Sequence, residues 1–221
     1  ERGRIRAQVA AELSQLGLLH GGRVEPDLED ALGVLHRPAC WVDSVWLPDP
    51  DARQPVRVVA ARSGTAGVCA LQHPERPGAT LLEVIPANSL AAAVVSKLPA
   101  HPSGASPAVT AALGSSAAPD RPGLLVTVPT ARTSAERSSA AVAAILDRPH
   151  VRAGQIAGNV RDPSGRVRRS QILRWCDNPD GRYHVTVSRS PDGQDWLAVG
   201  PADPRRIGEG VQRLLDSLQA R

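Results

Sequence analysis

Three four-residue strings, Asp162-Pro163-Ser164-Gly165, Asn178-Pro179-Asp180-Gly181 and Ser190-Pro191-Asp192-Gly193, constrain this chain more tightly than any other feature of it. Each puts a glycine where a tight reversal needs positive φ, behind residues that favour turns for reasons of their own. The stretches they separate, 153–161, 166–175, 182–188 and 195–199, therefore read as four strands of an antiparallel meander. The third alternates cleanly, with Tyr183, Val185 and Val187 to one side and Arg182, His184, Thr186 and Ser188 to the other. That is the pattern of a strand buried on one face only.

The first half of the chain carries a similar series. Ile5, Val9, Leu13 and Leu16 recur at helical spacing, with Gly17 as a stop. A turn over 18–22 leads to a second helix with the stripe Leu28, Ala31, Leu32 and Leu35, Asp27 as its cap and Arg37-Pro38 as its end. Short strands are expected over 41–47, 55–62, 66–72 and 79–85, followed by a helix bearing Leu90, Ala91, Val94, Val95 and Leu98. Residues 100–123 are rich in Pro, Ser, Ala and Gly and hold the best linker candidate, His101-Pro102-Ser103-Gly104, with a short strand at 124–128 after them. Thr133-x-x-Glu136 is a capping-box signal for a helix through Val142, Ile145 and Leu146 that ends at Arg148-Pro149. Asp203-Pro204 opens the last helix, whose stripe is Ile207, Val211, Leu214, Leu215 and Leu218.

The two series correspond. Leu35-His36-Arg37-Pro38 matches Leu146-Asp147-Arg148-Pro149, four strands follow each time, and both halves end in an amphipathic helix. The reading is an internal duplication of helix, four-strand meander and helix, able to share one sheet about a pseudo-twofold.

Chemistry is harder to find. Cys40, Cys69 and Cys176 are far apart with no C-x-x-C, against both a disulfide scaffold and a zinc site. There is no G-x-S-x-G and no P-loop, and the six His are scattered among turns and solvent faces. No run of apolar residues is long enough to span a membrane, and no signal core follows the charged start. Met is absent, which leads to the expectation that the natural start lies upstream. Aromatic content is only 2%, so the core must be aliphatic and each buried Trp carries unusual weight. Trp41 and Trp46 fall on opposite faces of their strand, leaving one of them for a helix or an interface to cover.

The 26 Lys and Arg exceed the 22 Asp and Glu by only four, too few for general nucleic-acid affinity. They do cluster: five Arg and one Asp lie between Arg161 and Arg174. Simple alternation puts Arg166, Arg168 and Arg174 on one strand face, readable as a solvated surface or as a docking face for an acidic partner. An alternative reading of the same strand, 166–174, is a nucleic-acid contact, although no aromatic stacking platform accompanies it.

Many ordered strings of the chain resemble one family. They are Glu12-Leu13-Ser14-Gln15-Leu16-Gly17-Leu18-Leu19, Gly22-Arg23-Val24-Glu25-Pro26-Asp27-Leu28 and Arg37-Pro38-x-x-Trp41-Val42-Asp43 in the first half. In the second they are Arg152-Ala153-Gly154-Gln155-Ile156, Asp162-x-x-Gly165-Arg166, Asp177-x-x-Asp180-Gly181-Arg182-Tyr183 and Asp195-Trp196-Leu197-Ala198-Val199-x-Pro201-Ala202-Asp203. Together they resemble the EspG family, the secretion-associated proteins of actinobacterial ESX (type VII) systems. The resemblance covers about residues 1–48 and 78–99 and most of 146–221, and is poor over 100–130.

The resemblance implies an α+β fold, a central antiparallel sheet flanked by helical bundles with two quasi-twofold halves. It implies one domain over 1–221, with half-repeats 1–99 and 131–221 about a variable 100–130. The function it implies is a cytoplasmic chaperone and not an enzyme. Such a chaperone binds PE–PPE heterodimers by capping the apolar tip of the PPE helical bundle, without cofactor, metal, nucleic acid or membrane insertion. In the family the contacts come from the loop between its second and third strands, the sheet face and the C-terminal helical region. That loop falls on 48–55 here, so the residues expected to meet a partner are Trp46, Asp49, Asp51, Arg53, Arg166, Arg168 and Arg174.

Overall fold

The computed structural model describes residues 1–113 and 133–219. The strand expected at 124–128 lies outside the described residues. Helix α1 (Arg2–Gln15) is followed by a small hairpin, β1 (Leu19–His20) and β2 (Arg23–Val24), where a plain turn was expected. Helix α2 (Pro26–His36) starts two residues earlier than its pattern suggested. Proline sits at its first position, where a missing N–H costs nothing, so the cap moves from Asp27 to Glu25, whose carboxylate accepts the Leu28 N–H at 2.9 Å.

The first meander is β3 (Cys40–Leu47), β4 (Val56–Ser63), β5 (Ala66–Gln72) and β6 (Leu81–Pro86), and it leads into helix α3 (Leu90–Val95). After β7 (Val109–Ala112) and helix α4 (Ser134–Leu146) come β8 (Arg152–Arg161), β9 (Val167–Asn178), β10 (Gly181–Arg189) and β11 (Asp195–Pro201), then helix α5 (Pro204–Gln219). Gly165, Gly181 and Gly193 take φ of 87°, 121° and 85°, as the turn strings require. Among the described residues, nine strands form one antiparallel sheet in the order β6-β5-β4-β3-β8-β9-β10-β11-β7. Each meander therefore begins at the centre of the sheet and runs outward, and β3 and β8 form the seam, with Cys40 opposite Val160 and Trp46 opposite Gly154. This is the twofold plan that the paired prolines announced.

Alternation decides what each face buries. The even residues of β3 and β4 (Val42, Trp46, Val56, Val58) meet Ile156, Leu173 and Trp175, beneath Leu90 and Val94 of α3 and Ile207, Val211 and Leu215 of α5. On the opposite face, α2 covers Ala61 and Val68, with Trp41 beside them, and α4 covers Cys176, Tyr183 and Val199. Both tryptophans of β3 thus find helical cover, one on each side. The helices that follow the meanders lie together, α3 on β3 and β4 and α5 on β8 and β9, whereas those that precede them sit apart, α2 on β4 and β5 and α4 on β7.

Two further features depart from the sequence reading. Residues 100–113 fold onto the second half: Ser103 bridges Arg182, Ser106 N–H donates to the Tyr183 hydroxyl at 3.0 Å, and β7 pairs with β11. The second departure is a bulge. Between the pairs Ala157–Ile172 and Asn159–Arg169, β9 spends one residue more than β8, and Ser170 Oγ accepts the Gly158 N–H at 2.9 Å. The extra residue resets alternation. Arg168, opposite Val160, therefore shares the face of Leu173 and α5, while Arg174, opposite Gln155, stays on the other face with Ile172 and Arg169. The expectation that Arg166, Arg168 and Arg174 share one face is corrected: a strand's period cannot be carried through a bulge.

Candidate docking surface

The end of the sheet near residues 48–55 is built on one buried stack. Gly154 lies between Trp46 on β3 and Trp175 on β9, and a Cβ there would stand 2.5 Å from the Cβ of Trp46 and 2.8 Å from the indole of Trp175. Without it, the two rings approach to 6.1 Å between centroids at 55°. The Arg182 guanidinium lies 4.6 Å above the Trp175 ring. It is fixed there by Asp177, which accepts Nε and Nη2 at 2.6 and 2.8 Å, and by the carbonyl of Pro99 at 2.7 Å. Asp177 and Arg182 are 0% and 2% exposed, so this is a fully desolvated, bidentate pair. Arg152 stands at 3.8 Å as a second cation for the same carboxylate.

Over this support the opposite face of the same strands forms a shallow recess of about 410 Å³, walled by Val45, Leu47, Pro55, Ala153, Gln155 and Arg174. Its lining is chiefly aliphatic, with one guanidinium and one amide at the rim. Leu47 is 38% exposed at its edge. The adjoining loop is shaped by its own hydrogen bonds: Asp49 Oδ1 accepts the Asp51 N–H at 3.0 Å, and the Asp49 carbonyl accepts the Ala52 N–H at 3.2 Å. Asp49 thus orders the loop, while Asp51 and Arg53 are exposed on it.

The structure brings together Trp46, Arg174 and the loop carrying Asp49, Asp51 and Arg53. Trp46 joins through its backbone, because its indole is 6% exposed and packs on Trp175 on the other side of the sheet. Arg166 and Arg168 stand elsewhere, toward the other end of β9, beside α5. A further groove, of about 870 Å³, runs between α3 and α5 along Ala91, Val95, Leu98, Pro99 and Gly208, with Arg182 reaching it from the buried stack. Sequence reasoning did not find it. Its only local sign is the run of small residues Leu90-Ala91-Ala92-Ala93 and Gly208, which acquires meaning once α3 and α5 lie side by side.

Apart from the Asp177–Arg182 ion pair, burial favours the neutral forms of the core thiols and of His184. Burial, followed by the neighbouring Asp177 charge, pushes the Cys176 thiol up to about 11. Burial raises Cys40 and Cys69 as well. The His184 imidazole is lowered by burial first, then by the charges of Arg213 and Arg206. Among the described residues, no group of three or more His, Cys, Asp and Glu could hold a metal ion, and no helix is long and apolar enough to cross a membrane. What the recess and groove offer is wettable aliphatic surface with a polar rim, the composition of a protein-docking patch.

Comparison with known proteins bears on this geometry. The model of the EspG family matches residues 1–213. No curated protein matches the chain. Among solved structures it is similar to the Mycobacterium tuberculosis type VII secretion system chaperone EspG5, solved in complex with a PE25-PPE41 dimer, at a TM-score of 0.64 and 19% identity over 93% of this chain and 83% of that one. A likeness at that identity speaks for the fold.

Proposed function

The chain belongs to the EspG family, and on that premise we propose that it is a non-catalytic chaperone of a type VII secretion system that binds a PE–PPE-type heterodimer in the cytoplasm and keeps it soluble and secretion-competent. The observation that carries the reading is the family match over almost the whole chain, 1–213, joined to a fold like that of a chaperone solved with such a dimer. The physical argument points the same way. The exposed apolar tip of a helical bundle needs a shallow aliphatic surface with polar groups at its edge, and the 410 Å³ recess under loop 48–55 supplies one.

In this reading Leu47, Val45 and Pro55 take the apolar contact. Arg174, Arg53 and Asp51 form the rim that fixes orientation, Asp49 holds the loop in shape, and Trp46 supports the floor from below. Arg166 and Arg168 belong to this surface only if the partner reaches round to α5.

The test is co-expression with a PE–PPE pair from a type VII system. The pair should co-purify with the chain and gain solubility, and Leu47→Asp should weaken the complex by about tenfold or more while leaving the thermal midpoint of the free protein in place. If no such pair co-purifies or gains solubility, the reading fails.

A further inference from the structure

Among the described helices, α1 alone buries no residue, and its main packing is against the short strand β1. Its apolar stripe stays largely in water: Ile5, Val9 and Leu16 are 52%, 47% and 71% exposed. Its start has little support of its own. Arg2, Arg4 and Arg6 stand toward the positive end of the helix dipole, with no acidic residue in the first turn and no side-chain cap. A helix of 14 residues is marginal in water even when nothing opposes it, because isolated helices shorter than about 12–15 residues hardly form. α1 is therefore an arm that needs a surface beyond its own body.

Helix α2 carries the complement of that arm. Its inner side buries Ala31 and Val34, where it packs on β4 and β5. Away from these, Asp27, Glu29 and Asp30 are exposed, and Leu32 is 48% exposed beside them. Gly33 follows, and a Cβ there would meet nothing within 4 Å, so this side of α2 is open to a close neighbour. None of Arg2, Arg4, Arg6, Asp27, Glu29 and Asp30 takes part in an ion pair among the described residues.

We propose that the chain forms a twofold dimer in which α1 of each copy lies along α2 of the other, its three arginines against the three carboxylates and Ile5 and Val9 closing on Leu32. The spacing fits. With the N-termini of the two helices together, Arg2, Arg4 and Arg6 run beside residues 26–30, and Leu32 falls between the levels of Ile5 and Val9, at about 1.5 Å of rise per residue. The carboxylates then stand beside the positive end of the α1 dipole, where negative charge is favourable. Pairing α2 with α2, or α1 with α1 in the same sense, would set like charges together instead. Both halves of the match lie in one sequence, which makes a second copy the occupant. A twofold repeats the contact, so two helix pairs are covered at once, which carries a small contact toward the ~1,200 Å² that stable interfaces bury. Neither α1 nor α2 lines the recess under loop 48–55, so the dimer goes beyond the chaperone reading and does not depend on it.

The experiment is sedimentation velocity of the whole chain over about 1–100 µM. The 23.2 kDa chain is expected to pass from monomer to dimer as concentration rises, and added salt should weaken the dimer. Two charge-reversed proteins carry the test: Arg2→Glu with Arg4→Glu and Arg6→Glu, and Asp27→Lys with Glu29→Lys and Asp30→Lys. Each alone has like charges at both contacts and should lose about tenfold or more in dimer affinity. Mixed in equal amounts they should form a heterodimer, since both contacts are then complementary again, and that recovery also establishes that both are folded. Ile5→Ser with Val9→Ser, which touches no charge and no buried residue, should weaken the dimer as well. A chain that stays monomeric throughout, a dimer indifferent to the reversals, or a mixture that stays monomeric would each overturn the assignment. So would loss of PE–PPE co-purification from a monomeric chain on reversal of the α1 arginines, which would seat the substrate on this arm. Retention of PE–PPE co-purification by the reversed proteins tells loss of the dimer from failure of the chaperone reading.

Discussion

Charge is handled in two ways in this molecule, and the difference sets what individual residues are worth. Asp177 and Arg182 are removed from water altogether and face each other as an ion pair at 2.6 Å. Truncating Arg182 leaves the buried Asp177 carboxylate with only the more distant Arg152, at 3.8 Å, so Arg182→Ala is expected to cost about 3 kcal/mol in denaturant unfolding. The Arg189–Asp195 pair has the same bidentate form, at 2.9 and 3.1 Å, but its side chains are 69% and 37% exposed. Arg189→Ala should therefore cost at most about 1 kcal/mol. Equal losses in the two variants would contradict this account. His184 adds a dependence on pH. Burial, helped by Arg213 and Arg206, depresses its folded pKa, so the unfolded chain takes up a proton first as pH falls. Below about pH 6.5 the unfolded state then binds more protons, and stability declines until the folded-state pKa is passed. Denaturation midpoints across that window should slope downward toward acid, and His184→Gln should flatten the slope.

At the scale of elements, local chemistry shapes the helix starts and pairing shapes the sheet. Thr133 Oγ1 accepts the Glu136 N–H at 3.2 Å while Glu136 Oε2 accepts the Thr133 N–H at 2.6 Å, closing a capping box on the helix that covers Tyr183 and Val199. Thr133→Ala should lower stability in denaturant unfolding by about 1 kcal/mol, since the Glu136 N–H loses its side-chain acceptor. That box was legible in four letters, as were the hairpin turns and the apolar stripes of α4 and α5, because each is a signal between near neighbours; in α2 the expected stripe was partly misplaced, since Val34 is buried and Leu32 is exposed. The cap of α2 escaped because proline at the first position outweighs an Asp one residue later. β7 escaped for a different reason: Val109-Thr110-Ala111-Ala112 is too weak a pattern to announce itself, and becomes a strand because β11 offers an edge. The bulge at Ser170 is invisible along β9 alone, since it exists only relative to β8, and the faces assigned to Arg168 and Arg174 depended on it. Of the candidate site, loop 48–55 was marked by the family resemblance alone, and the face of Arg174 relative to Arg166 and Arg168 could not be placed without the bulge. The groove between α3 and α5 could not, being a property of two helices more than 100 residues apart.

The whole molecule is two similar halves that share what neither holds alone. Seen from the seam, each half supplies two central strands and one covering helix to the main cluster: Val42, Trp46, Val56, Val58, Leu90 and Val94 from the first, and Ile156, Leu173, Trp175, Ile207, Val211 and Leu215 from the second. Cutting between the halves would expose both sets of side chains and bare the backbone edges of β3 and β8 to water, a loss of apolar burial and of ladder hydrogen bonds together. The duplication is therefore one of pattern, and folding is expected to be a single event. The full chain should unfold in one transition with coincident far-UV dichroism and tryptophan fluorescence. Fluorescence is well placed to test this, because Trp46 and Trp175 come one from each half and touch across the seam. A fragment of residues 1–99 made alone should lack a cooperative transition, and so should one of 100–221; mixed together, they should regain the tryptophan signal of the intact chain. Two separate transitions in the full chain, or a fragment that melts cooperatively alone, would mean that each half holds a sufficient core, and the seam would then be an interface between domains instead of the centre of one.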